Sequence, residues 1–69
     1  MPNSYIQIEV KFIFHGKEFV LKYCHTHKGL YLFVPTGDGF LINSPNFYDA
    51  INEAAMWVHN NGCRYVDSN

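Results

Sequence analysis

Residues 5–23 read YIQIEVKFIFHGKEFVLKY, and their periodicity decides the fold class. Ile6, Ile8, Val10, Phe12 and Phe14 share one parity, while Tyr5, Gln7, Glu9, Lys11 and Ile13 share the other. Successive side chains of a strand point to opposite faces, so this alternation of β-branched and aromatic residues predicts a strand with one buried face. Gly16, within His15-Gly16-Lys17, can take the positive φ that a tight hairpin requires. The chain then returns through EFVLKYCHTH at 18–27. Phe19, Leu21 and Tyr23 form its apolar parity, with Glu18, Val20, Lys22 and Cys24 opposite.

Working outward, Lys28-Gly29 reads as a turn and LYLFV at 30–34 as a third strand. It is apolar on both parities, which suits a central strand. PTGDG at 35–39 is dense turn chemistry, and FLIN at 40–43 makes a short fourth strand. The period then changes. Phe47, Ile51, Ala54 and Val58, with Ala50 and Ala55 beside them, form one helical stripe. Ser44 before Pro45 fits an N-cap, and Asn46 with Asp49 three residues on is a competing one. Gly62 is the expected left-handed residue beyond the helix. The predicted class is α+β in two layers: an antiparallel three- to four-stranded β-meander packed on one C-terminal α-helix, in the order β-β-β-β-α. CRYV at 63–66 either adds a short final strand or packs down.

Composition bounds the function. The 69 residues are 48% hydrophobic, 17% aromatic and 16% charged, which describes one small folded domain spanning 1–69. So small a body cannot easily hide that much apolar surface, so some of it is expected to be exposed or covered by a partner. Five basic and six acidic residues give a net charge of −1, without the basic stripe usual in nucleic-acid binders. Two cysteines, Cys24 and Cys63, are too few for a secreted disulfide framework, and no leader-like or bilayer-spanning apolar run is present. A cytoplasmic setting without membrane attachment is the expectation.

One helix of roughly 14 residues is about 21 Å long and covers one face of such a sheet. The other face would carry Tyr5, Ile13, Val20 and Cys24 among Lys11 and Lys22. The third strand adds either Tyr31 and Phe33 or Leu30, Leu32 and Val34. On the helix, Met56 lies opposite the apolar stripe, and Trp57 and Tyr48 lie at its edges. The expected partner-binding residues are therefore Tyr5, Lys11, Ile13, Val20, Lys22, Tyr31, Phe33, Met56 and Trp57.

Reactive groups crowd only at YCHTHKG, residues 23–29. His25 and His27 would share a strand face and could offer two nitrogens to a metal, but zinc needs a third ligand and usually a fourth. The reading taken is the polar end of a strand. Cys24 turns away from its histidine neighbours on a regular strand, so no Cys–His dyad is expected. TGDG leads into a strand rather than a helix N-terminus, which removes a phosphate-loop reading. The carboxylates stand in different elements, apart from Asp49 and Glu53 on one helix face.

The expectation is a stand-alone, non-catalytic binding protein without cofactor, an adaptor or steric inhibitor acting on a protein partner. Small domains of this build are common among phage and mobile-element proteins, some of which block host defence complexes such as CRISPR effectors; this is an architectural analogy alone. A homodimer closing the open face is an alternative to an outside partner. A nucleic-acid-binding domain using sheet aromatics and lysines is a second reading, and a small metal-binding domain through His25 and His27 a third.

Overall fold

The structure is a computed structural model and describes residues 9–66. The expected strand residues before Glu9, including Tyr5, lie outside that range. Four strands pair antiparallel in chain order: β1 (Glu9–Phe14), β2 (Lys17–Cys24), β3 (Gly29–Phe33) and β4 (Gly39–Leu41). Two helices follow, α1 (Phe47–Asn61) and α2 (Cys63–Val66). This is the expected α+β meander with its helical layer on one face.

The register explains the core. Val10 stands opposite Leu21, Leu21 opposite Leu32 and Leu32 opposite Phe40, one apolar row across all four strands. Phe12 faces Phe19 in the next row. Phe19, Leu21, Leu32, Val34 and Ile42 are buried with Ala50, Ala54 and Val58 of α1. Phe19, Leu21 and Leu32 are fully buried, each worth about 1.5–3 kcal/mol by transfer out of water. The small Ala50 and Ala54 let the helix approach the sheet closely. Leu32 and Val34 therefore belong to the core, which leaves Tyr31 and Phe33 on the other face.

Turn chemistry sets the hairpins. His15 (φ 51°) and Gly16 (φ 77°) are both left-handed, the two-residue turn whose twist matches its strands. Val34 N–H donates to the Asp38 carbonyl at 3.0 Å and Gly37 N–H to the Val34 carbonyl at 2.8 Å, closing the β3–β4 turn. Asn46 caps α1: its side-chain oxygen accepts from Asp49 N–H at 2.9 Å. The Ser44 hydroxyl instead donates to the Glu53 carboxylate, so the Asn46 alternative holds.

Three local expectations are corrected, and one open alternative is decided. β2 ends at Cys24, not at residue 27, because His25–Lys28 form the turn and Gly29 already pairs with Cys24. Lys28 there takes φ 56°. CRYV is helical rather than a strand: Tyr65 N–H donates to the Gly62 carbonyl at 2.9 Å, and the Tyr65 ring stacks on Trp57 at 5.8 Å. Gly62 is not left-handed, with φ −60° and ψ −30°. It is glycine for space, since a Cβ there would lie 2.8 Å from Phe14 Cδ2 and against the Val58 carbonyl. Tyr48 stands clear of the helical stripe, 81% exposed.

Candidate interaction face

The core parity of each strand fixes what the opposite parity presents. Two complete rows cross the open face. In one, Lys11 stands opposite Val20, Val20 opposite Phe33 and Phe33 opposite Gly39. In the next, Glu9 stands opposite Lys22, Lys22 opposite Tyr31 and Tyr31 opposite Leu41. Ile13 and Glu18 pair beyond the first row, and Cys24 and Gly29 beyond the second. All four charges, Glu9, Lys11, Glu18 and Lys22, sit on β1 and β2, while the β3–β4 half is uncharged.

Local contacts shape that half. Phe33 lies across Gly39, where a Cβ would stand 2.8 Å from Phe33 Cε1. Leu41 leans towards Gly29, whose Cβ position is 3.3 Å from Leu41 Cδ1. The two glycines thus leave room for neighbouring side chains to lie flat. Tyr31 and Phe33 are tilted neighbours, ring centroids 6.3 Å apart, and Lys22 Nζ sits 5.3 Å from the Phe33 centroid. Ile13 is 64% exposed and Leu41 57%. Among the described residues both helices lie on the core side, and Tyr65 and Val66 of α2 pack against the core. Within that range the C-terminal segment does not fold over the open face.

Lys11, Ile13, Val20, Lys22, Tyr31 and Phe33 are thus brought together on one surface. Met56 and Trp57 are not part of it. Met56 is 64% exposed on the outer side of α1. Trp57 is half-buried against Phe40 at 4.9 Å and Tyr65, a lid on the core. Leu41 is the residue that sequence reasoning did not select; a three-residue strand shows too little alternation to assign its parity.

The histidines diverge. The His25 ring meets Tyr23 edge-on at 5.2 Å, and the His27 ring meets Tyr31 at 5.5 Å. Tyr23 has the core parity of β2 and Tyr31 the open parity of β3, so the two rings flank opposite faces. Among the described residues no group of three or more His, Cys, Asp or Glu could hold a metal ion. No described helix is long and apolar enough to cross a membrane.

No protein-family model matches the chain, and no curated protein and no solved structure matches it.

Proposed function

We propose that the chain is a non-catalytic binding protein that engages a protein partner through the open face of its sheet. The observation that carries this reading is the split of β3: Leu32 is wholly buried while its neighbours Tyr31 and Phe33 are held on the side that neither described helix covers. Large aromatics rimmed by lysines and glutamates form the usual anatomy of a recognition surface. Mixed charge on that face suits a contact based on shape and apolar burial. An adaptor or a steric inhibitor works in this way. A phage or mobile-element protein acting on a host defence complex fits that role by size and architecture. Two free cysteines, Cys24 and Cys63, suit a reducing compartment such as the cytoplasm.

The experiment is affinity capture from cells of the source organism with the intact chain, a Tyr31→Ala/Phe33→Ala variant and a Tyr48→Ala/Met56→Ala variant. The reading expects a stoichiometric complex lost only in the sheet variant. Loss only in the helix variant would move the site to the outer side of α1.

A second reading has one observation in its favour. Tyr31 and Phe33 beside Lys22 form a platform on which single-stranded bases could stack. Glu9 and Glu18 on the same face offset the two lysines, which weakens phosphate attraction. Binding to an oligonucleotide that falls steeply with added salt is the result this reading requires.

A further inference from the structure

We propose that the open face also pairs with itself, taking a second copy of this chain sheet to sheet about a two-fold axis that runs across the strands. The inference rests on the open face being a recognition surface, as proposed above, and names one occupant.

It follows from the order of residues in the two complete rows. One reads Lys11, Val20, Phe33, Gly39 from β1 to β4; the other reads Glu9, Lys22, Tyr31, Leu41. A two-fold axis lying between two stacked sheets, perpendicular to the strands and midway between these rows, keeps each strand over its own copy and exchanges the rows. Lys11 then meets the second copy's Glu9, and Glu9 its Lys11. Phe33 meets Tyr31, and Tyr31 meets Phe33. Val20 lies beside the aliphatic stem of Lys22. Three of the four opposed positions are chemically matched, with opposite charges at β1, Val20 against the Lys22 stem at β2 and aromatic rings at β3, while Gly39 faces Leu41 at β4.

The other in-plane axis, parallel to the strands, also brings Val20 against Phe33 and Lys22 against Tyr31, but it leaves each edge charge without an opposite charge. It would lay β1 over β4, setting Glu9 against Leu41 and Lys11 against Gly39, and so bury charges against apolar surface. Aligned sheet packing turns one sheet by about 30° on the other; the inner Tyr31–Phe33 pairs move least, and the long Lys11 and Glu9 side chains at the β1 edge span the larger displacement there.

Area sets the strength. Four strands about 4.8 Å apart and five residues long present a footprint of roughly 300 Å² per copy, against about 800 Å² per partner in a standard interface. The association is therefore weak and concentration-dependent, and exchangeable for another partner.

The test is sedimentation equilibrium from micromolar to millimolar concentration on the intact chain, on Lys11→Glu, on Glu9→Lys, and on an equimolar mixture of these two variants. The wild type is expected to pass from monomer to dimer. Each single reversal places like charges opposite each other twice and weakens association at least roughly tenfold. In the mixture one chain carries two acidic and the other two basic groups at these positions, so a heterodimer recovers. A wild type that stays monomeric, reversals that associate as the wild type does, or a mixture that does not recover would each overturn the proposal. Capture of an outside partner that depends on Tyr31 and Phe33, from a chain that stays monomeric, overturns self-pairing alone and leaves the proposed function standing. A recovering heterodimer with capture unaffected by Tyr31→Ala/Phe33→Ala upholds self-pairing and removes the outside partner from this face.

Discussion

Leu32 and Phe33 are adjacent in β3, yet they serve opposite sides of the molecule. Leu32 is fully buried between sheet and helix, so Leu32→Ala removes contacts on every side and should cost about 2–5 kcal/mol in urea denaturation. Tyr31→Ala removes a half-buried ring from the face opposite the described helices and should cost less than about 1.5 kcal/mol in the same assay. Gly62 tests a different physical limit. Alanine gains roughly 1 kcal/mol over glycine in helix propensity, but its methyl would meet Phe14 Cδ2 at 2.8 Å. Overpacking against an inward ring and a backbone carbonyl typically costs about 1–3 kcal/mol, so Gly62→Ala should destabilise the chain despite the better propensity. A gain in stability would mean that the space at Gly62 is not limiting.

Among the elements, α1 depends on its first turn. Asn46→Ala leaves Asp49 N–H without its 2.9 Å acceptor and should lower stability by about 1 kcal/mol, while Asn46→Ser should be close to neutral. Thermal melting of the two variants decides this. Much of the element order was legible before any coordinates, because long alternating runs such as Val10 to Phe14 allow only one face to be buried. Short or two-sided elements were not. The third strand is apolar on both parities, so only tertiary packing against Ala50 and Ala54 could choose Leu32 over Tyr31. YCHTH continues the alternation on paper, which hides the end of β2, whereas His25–Lys28 turn to bring Gly29 opposite Cys24. CRYV carries β-branched and aromatic residues that suit a strand on paper, but in the fold it is helical, with Tyr65 stacked on Trp57 and tilted against Phe40. Of the candidate site, the β1 and β2 contributions followed from parity, and Leu41 escaped because β4 is too short to show one.

At the scale of the whole molecule, one sheet separates a core from a surface. Helical cover lies on the core side, and the described open side offers aromatic rings, two lysines and two glutamates. The proposed function puts binding on the sheet rather than on the outer side of α1, where Tyr48 and Met56 are 81% and 64% exposed. Site-specific photocrosslinking separates the two surfaces without disturbing the core. A photoreactive phenylalanine would replace Phe33 in one chain and Tyr48 in another, both expressed in cells of the source organism. The account predicts a discrete protein adduct from position 33, at twice the chain mass for self-pairing and at another mass for an outside partner, with none from position 48. An adduct from position 48 alone would contradict it and place recognition on the helix.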